Sequence, residues 1–288
     1  MKKAVLLPLL LAVLIGLQAQ DNKAYQLYTS NGVPVTYSEM VNKVQLADIV
    51  FFGELHNNPI AHWLQLELTQ DLYSKSKEDL ILSAEMFESD NQLLLDEYLT
   101  DVIPKSRFEA ECRLWPNYQT DYKPLVEFAK ENELKFIAAN VPRRYANIVS
   151  KKGFDVLETL SSEAKSLLPP LPIDYDPTVP CYREMLEMKG MPAHVTENLP
   201  KAQALKDATM AHFIFKNYKT GKQILHYDGA YHSNNHEGTV WYINQYSPKV
   251  NVQVISTVEQ ADIYNLEEEN LGLGDFILVI PENMTKSY

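Results

Sequence analysis

Glycine and cysteine are scarce in this chain of 288 residues, which contains ten glycines and two cysteines. The nucleotide-binding motifs GxGxxG and GxxxxGK[ST] and the esterase motif GxSxG are absent. Phosphate-binding loops and nucleophile elbows of those types are therefore not expected. The motif HExxH is absent as well, which excludes the usual zinc-protease helix. Cys112 and Cys181 could form one disulfide in an oxidising compartment, and the sequence leaves their pairing open.

Positive charge is also low. The chain has 26 basic side chains against 38 acidic ones, which gives a formal net charge of -12. Nucleic-acid binding needs clustered Lys and Arg side chains, so we expect no nucleic-acid partner. A hydrophobic fraction of 45% and a charged fraction of 22% are ordinary for globular proteins and exclude wholesale disorder.

The N-terminal residues have the pattern of a targeting segment. Lys2 and Lys3 precede an apolar run over residues 4–17, and the small residue Ala19 follows it. This pattern predicts a signal peptide over residues 1–20, with an uncleaved membrane anchor as the alternative. No cysteine follows the run, so lipid attachment at that point is not expected. We therefore expect an exported protein, periplasmic or extracellular, that is soluble after cleavage.

Short runs rich in Ile, Val, Leu and Phe alternate with amphipathic stretches over the rest of the chain. The apolar runs predict strands at residues 48–54, 80–85, 135–140, 223–228, 250–257 and 275–280. The stretches between them predict helices at about residues 62–74, 122–133, 143–151 and 202–218. Continuously apolar strands that alternate with helices are typical of an α/β fold with a mainly parallel sheet. We predict a single domain of this class over residues 21–288.

Two stretches interrupt the alternation, at about residues 89–119 and 157–200. The second is rich in proline, which breaks both helices and strands. We interpret the two as insertions that form a small, mainly helical cap subdomain.

Polar side chains stand at or just after the ends of four predicted strands. They are Glu54, His56, Glu85, Asn140, Arg143, Asp228 and His232. Ligands bind beyond the carboxyl ends of strands in open parallel sheets, so these side chains predict a polar site in one crevice. Such a site could hold a divalent metal ion, or it could supply a general base with an orienting partner.

Tyrosine is abundant, with 17 residues, and one aromatic cluster contains Trp115, Tyr118 and Tyr122. Tyrosine can ligate haem iron, and aromatic walls suit a flat porphyrin. Packing between an insertion and the sheet is the alternative, and spacing alone favours it.

Gly53, Glu54 and His56 form a GExH motif that resembles the opening motif of the ChaN-like haem-binding uptake lipoproteins. That family belongs to a superfamily with the Tiki, TraB and erythromycin-esterase-like proteins. The resemblance continues in order at residues 84–88, 115–129, 137–143, 202–211 and 229–232, so that it spans roughly residues 49–241. The lipid-attachment cysteine of the family is missing here.

The resemblance implies a parallel sheet with flanking helices and a small helical domain, and a role in haem or iron uptake. It also implies two haems stacked face to face between two subunits, each iron held by one tyrosine. By position, Tyr118 and Tyr122 are the candidate iron ligands. His56 or His232 could contact the propionates or a metal, and Asn140 and Arg143 are further candidate haem-binding residues. The sequence identifies no membrane or transport partner.

A hydrolase of the same superfamily is the alternative function. Glu54, His56, Glu85 and His232 would then form a polar or metal-assisted site that activates water, with His232 or Glu54 as the base and Arg143 stabilising an anion. The paired carboxylates fit this alternative better than haem binding alone, and the sequence leaves both possibilities open.

Overall fold

The computed structural model describes residues 22–187 and 197–288. The predicted signal peptide and residues 188–196 of the second insertion lie outside these ranges. Within the described ranges, no helix combines the length and the apolar character needed to cross a membrane.

One sheet of eight strands forms the centre of the molecule. Its strands are β1 (Gln26–Thr29), β2 (Pro34–Val35), β3 (Ile49–Glu54), β4 (Leu80–Glu88), β5 (Phe136–Asn140), β6 (Gln223–Gly229), β7 (Val252–Gln260) and β8 (Phe276–Pro281). They lie side by side in the order β2-β1-β8-β7-β3-β6-β4-β5. The strands from β8 to β5 run parallel, whereas β1 pairs antiparallel with both β2 and β8.

All six predicted strands are present in the sheet as β3 to β8. Every residue of β3, β4, β5 and β6 is buried, as a parallel sheet covered on both faces requires. The sequence pattern does not predict β1 and β2, which are short, pair antiparallel and lie at one edge of the sheet.

Helices cover both faces of the sheet. They are α1 (Tyr37–Val44), α2 (Pro59–Ser76), α3 (Gln92–Leu99), α4 (Lys105–Glu111), α5 (Lys123–Glu131), α6 (Arg143–Lys152), α7 (Ser162–Lys165), α8 (Pro180–Glu187), α9 (Leu199–Asn217) and α10 (Gly238–Tyr246). The four predicted helices correspond to α2, α5, α6 and α9. The α/β fold with a mainly parallel sheet is confirmed.

The start of α2 fixes the loop that leaves β3. Oδ1 of Asn58 accepts hydrogen bonds from the backbone N–H groups of Ile60, at 3.1 Å, and Ala61, at 3.3 Å. Pro59 occupies the first helical turn, where its missing N–H group costs nothing. The GExH segment is therefore held between a buried strand and a capped helix.

The two insertions contact different parts of the core. In the first, Leu95, Tyr98 and Phe108 belong to the apolar cluster that also contains α5. In the second, Leu157 and Leu168 pack with α6 and α9. The insertions meet where the hydroxyl of Ser89 donates to the carbonyl of Leu167 at 2.9 Å. Their grouping into a separate cap subdomain stays a prediction.

The cysteines do not form a disulfide. Cys112 and Cys181 are both buried and unpaired. Cys112 belongs to the cluster around α5, and Cys181 belongs to the cluster around α9.

Candidate functional site

A crevice of about 1230 Å³ opens beyond the carboxyl ends of the parallel strands. Its walls come from strand ends β3 to β7 and from α9. Of the residues predicted for the site, those that line it are Glu54, His56, Glu85, Asn140, Arg143 and His232. The predicted convergence of strand-end side chains is therefore seen in the structure, as the topology of an open parallel sheet demands.

Glu54, at the end of β3, accepts a cluster of hydrogen bonds. Its Oε1 accepts from Nδ1 of His56 at 2.9 Å and from the hydroxyl of Tyr122 at 2.7 Å. Its Oε2 accepts from Nε2 of Gln65 at 2.6 Å, and Nδ1 of His62 lies 3.4 Å away. The carboxylate is buried, and this ring of donors is what allows it to remain there.

His56 presents its free edge to the crevice. With Nδ1 held by Glu54, Nε2 has no hydrogen-bond partner among the described residues, and the side chain is 35% exposed. Burial is the largest single influence on its pKa and lowers it, but the bond to Glu54 and the charge of Glu85 outweigh burial and raise it. The ring meets the indole of Trp115 edge to face, with 4.9 Å between centroids.

Gly229 makes room for the His56 ring. A Cβ at position 229 would lie 2.7 Å from both Cε1 and Nε2 of His56, closer than side chains tolerate. The backbone N–H of Gly229 donates to Oε2 of Glu85 at 2.8 Å. Gly229 thus contacts two carboxylate–imidazole pairs: it lies against His56, which is paired with Glu54, and it donates to Glu85, which is paired with His232.

The second pair is more deeply buried. Nε2 of His232 lies 3.2 Å from Oε1 of Glu85, and Nδ1 lies 2.6 Å from Oδ1 of Asp207, on α9. Burial opposes charge on His232, yet the two carboxylates outweigh it and raise the pKa of His232 to about 10. Burial likewise opposes charge on Glu85, but His232 and the nearby cations bring its pKa well below the ordinary value.

Asp228 lies one residue before Gly229 and is completely buried. Its Oδ1 is 3.3 Å from the hydroxyl of Ser233, and its Oδ2 has no partner in the described parts of the chain. Burial raises the pKa of this carboxyl well above its usual range. Asp228 lies within β6 and is not among the residues that line the crevice.

Two cationic side chains, Arg143 and Lys206, line the crevice. Arg143 follows β5, and its backbone N–H and Nε both donate to Glu88, which also pairs with Arg113. The Arg143 side chain remains 60% exposed, and Lys206 of α9 lies close enough to Glu85 for its charge to help lower the pKa of that carboxyl. Asn140 lines the crevice too, with its Oδ1 accepting from the backbone N–H of Val141 at 2.8 Å.

The two predicted iron ligands lie outside the crevice wall. Tyr118 and Tyr122 belong to one π-helical turn (Tyr118–Tyr122), and both are buried in the core. The Tyr118 ring packs edge to face against Phe87 and Phe108, and its hydroxyl has no partner among the described residues. Burial raises the pKa of both phenols, with Glu54 adding to the effect on Tyr122.

Some residues of the site are not predicted by the pattern of polar side chains at strand ends. Two tyrosines, Tyr231 and Tyr288, line the crevice. The hydroxyl of Tyr231 donates to the backbone carbonyl of Cys181. Asp207 and Lys206 come from a helix, and the only sequence signal for them is the family-like block at residues 202–211.

The titratable groups of the site are arranged as imidazole–carboxylate contacts. In residues 22–187 and 197–288, no group of three or more His, Cys, Asp or Glu side chains is arranged to hold a metal ion. Glu54 lies beside two imidazoles, those of His56 and His62, whereas Glu85 and Asp207 share the imidazole of His232. The groups that a ligand could meet in the crevice include the free edge of His56, the indole of Trp115, the ammonium of Lys206 and the part of the Arg143 guanidinium that is exposed beside its bond to Glu88.

Known structures share this fold. The ChaN structure of Campylobacter jejuni, solved with cofacial haem, superposes with a TM-score of 0.63 at 17% identity, covering 91% of this chain and 98% of that one. A Bacillus cereus protein superposes with a TM-score of 0.51 at 13% identity, covering 90% of this chain and 95% of that one. At these identities the likeness concerns the fold.

Sequence comparison extends to a plant protein and to one family. RETICULATA-RELATED 5, a chloroplastic protein of Arabidopsis thaliana, is 28% identical over 134 residues, which is 44% of this chain but 18% of the plant protein. The chain thus matches less than a fifth of that relative's length. Residues 40–243 match the family described as haem-binding uptake, Tiki superfamily, ChaN. This match covers well over half of the present chain, and the chain therefore belongs to the ChaN family of the Tiki superfamily.

Proposed function

We propose that this protein binds haem in the crevice and serves haem or iron uptake outside the cytoplasm. Membership of the haem-binding ChaN family is the observation that carries the proposal. The crevice supports it, since its volume of about 1230 Å³ exceeds the roughly 300–1000 Å³ of most small-ligand sites and leaves room for a large ligand.

The chemistry of the walls suits a flat, dianionic molecule. The aromatic ring of Trp115 lines the crevice, and the Nε2 edge of His56 is free. Arg143 and Lys206 would meet the two propionates, since guanidinium and ammonium groups are good carboxylate partners. Glu54 and Glu85 do not oppose this, because each carboxylate is already matched with an imidazole.

A tyrosine remains our proposed iron ligand, as phenolate oxygen suits ferric iron. Tyr118 and Tyr122 are the first candidates, and either hydroxyl would have to turn from its buried position toward the crevice. Tyr231 joins them because it already lines the crevice. When bound, haem would supply the iron centre, and these side chains would hold and orient it.

We also propose that two copies of the chain bring two haems face to face. The Campylobacter jejuni relative is described as binding haem cofacially, and the two share a fold. An open crevice on one chain leaves a face of the ligand available to a second copy.

A hemin titration followed by absorbance tests the proposal. We expect saturation near one haem per chain, with the spectrum of tyrosinate-ligated ferric haem. Sedimentation with and without hemin measures the dimer. Single changes of Tyr118, Tyr122 and Tyr231 to Phe then identify the ligand as the one whose loss alters the spectrum. Binding that never saturates would overturn the proposal.

Water activation is a second candidate function, favoured by one observation. Nδ1 of His56 is held by Glu54 while Nε2 faces the crevice, which is how a general base is oriented. His56 would take a proton from water at Nε2, and Glu54 would stabilise the imidazolium that results.

A p-nitrophenyl ester and labelled casein serve as probes of this activity. If the second candidate holds, the wild-type protein hydrolyses one of them above the buffer rate, and Glu54→Gln lowers that rate by roughly 10²-fold or more. Circular dichroism checks that the variant is folded. Hydrolysis at the buffer rate with both probes would remove this candidate.

A further inference from the structure

The chain continues beyond β8 along the carboxyl edge of the sheet. Residues 282–288, which we name the C-terminal strap, leave β8 through a turn in which the N–H of Met284 donates to the carbonyl of Pro281 at 3.0 Å. The Met284 side chain packs against the main apolar cluster. The strap is thus anchored at its start by a turn and by apolar contact.

Two further contacts attach the strap to the loop after His56. Lys286 pairs with Glu259, and Oε1 of Glu259 also accepts from Nδ2 of Asn58 at 2.8 Å. The backbone N–H of Ser287 donates to the carbonyl of Asn57 at 2.8 Å. Because Asn57 directly follows His56, the strap is tied to the segment that carries the free imidazole.

This attachment places Tyr288 in the crevice wall. Tyr288 lines the same space as Glu54 and His56 and is 64% exposed. Its hydroxyl has no hydrogen-bond partner among the described residues, unlike those of Tyr122 and Tyr231. Burial and the negative charges of Glu54 and Asp121 raise its pKa, which favours the neutral phenol over phenolate.

We propose that the aromatic ring of Tyr288 contacts the planar ligand of the crevice and slows its release. This inference rests on the proposed haem binding. Aromatic rings pack well against flat, apolar π-systems, and Tyr288 is available for such a contact because 64% of the residue is exposed. The strap lies outside residues 40–243, so the contact is a feature of this chain beyond the part that matches the family.

Transfer of haem to excess apomyoglobin, followed by absorbance, measures the release rate. Loss of one aromatic contact should make Tyr288→Ala release haem about tenfold faster than the wild type. Tyr288→Phe keeps the ring and should stay within about twofold, with an unchanged spectrum. Lys286→Ala loosens the strap and should give an intermediate rate. Tyr246→Ala is the matched control, since Tyr246 is also partly exposed but does not line the crevice.

The outcomes separate the inference from the proposed function. Saturable haem binding with an unchanged release rate in Tyr288→Ala overturns the inference and leaves the function standing. Equal acceleration in Tyr288→Phe and Tyr288→Ala also overturns it, because the contact would then belong to the hydroxyl. Absence of saturable binding by the wild type overturns both. Circular dichroism of each variant confirms that the fold is retained.

Discussion

Nε2 of His232 lies 3.2 Å from Oε1 of Glu85, at a depth where His232 is 5% and Glu85 3% exposed. Asp207 holds the other ring nitrogen, so the imidazole lies between two carboxylates. A charge this far from water is tolerated only when its partners are fixed in place. The pair is therefore both a wall of the crevice and a structural link between β4 and α9.

Replacing His232 with Gln should destabilise the protein strongly. The change leaves Glu85 and Asp207 buried without their cation, which costs roughly 3–5 kcal/mol for a broken buried pair. Urea unfolding at pH 6 measures the loss. His236→Gln is the control, because the side chains of His236 and Asp275, 3.1 Å apart, are 37% and 31% exposed, so that solvent screens the pair and it should contribute less than about 1 kcal/mol. Equal losses in the two variants would contradict a special role for His232.

Stability should also fall at alkaline pH. The pKa of His232 rises from its ordinary value of 6.5 to about 10 in the folded chain. Its contribution is therefore complete below about pH 6.5 and is lost as pH rises toward 10. We expect the free energy of unfolding to decline over that window, and His232→Gln should remove that part of the decline. An identical decline in wild type and variant would contradict this assignment.

Gly229→Ala should displace the His56 ring. The new methyl group would lie 2.7 Å from two ring atoms, while the backbone of Gly229, with φ of -63°, is one that alanine adopts easily. The cost is thus steric, and we expect weaker hemin binding, by about tenfold or more, together with a stability loss of about 1–3 kcal/mol. Hemin titration and urea unfolding measure the two effects.

A double variant tests the steric cause. His56→Ala removes the ring, so adding Gly229→Ala to it should cost little further stability. Coupling between the two changes is expected because they concern atoms in contact. Strictly additive losses would mean that Gly229 is required for another reason.

The sequence predicts the sheet well. The central strands of the sheet are buried on both faces, so each of them requires a continuous apolar run that can be recognised in the sequence. The antiparallel strands β1 and β2 have no such run. Strand ends also predict Glu54, His56, Glu85 and His232 correctly as neighbours, since parallel topology collects them at one edge. Asp207 enters the site from a helix face, and no local pattern marks it as the partner of His232.

The direction of Tyr118 and Tyr122 is harder to predict. Both lie on a π-helical turn, where the usual helical period does not hold, so spacing alone could not show which way their rings point. In the structure both tyrosines are buried in the main apolar cluster, as the alternative of packing between an insertion and the sheet predicts. The position of Tyr288 depends on contacts of the strap with residues far away in sequence, and no local motif predicts those.

Both cysteine thiols should be inert in the folded protein. Burial raises the pKa of Cys112 and of Cys181 to about 12, and thiolate is the reactive form. Iodoacetamide at pH 8 should leave the native chain unmodified and should label both residues in urea, as mass spectrometry will show. Failure to label in urea without a reductant would indicate a disulfide, and a melting temperature lowered by dithiothreitol would agree with it.

Changing the two buried tyrosines to Phe should have different effects on the free energy of unfolding. Tyr122→Phe removes the 2.7 Å hydrogen bond to the Glu54 carboxylate and should cost roughly 1.5–3 kcal/mol, the usual contribution of a bond to a charged group. Tyr118→Phe removes a buried hydroxyl with no partner among the described residues, so stability should be unchanged or higher by about 1 kcal/mol. Urea unfolding of the two variants, each the control of the other, measures the difference.

The same two variants examine the iron ligand. If Tyr122 remains bonded to Glu54 when hemin binds, Tyr122→Phe will lose stability but keep the hemin spectrum of the wild type. A change of spectrum in Tyr122→Phe or Tyr118→Phe would instead mean that the ring leaves the core on binding. In that case hemin should stabilise the variant less than it stabilises the wild type, because a ligand shifts unfolding only by its affinity for the folded state. If the hemin spectrum is unchanged in both variants, the iron ligand is another residue. Tyr231→Phe is then the variant to measure next.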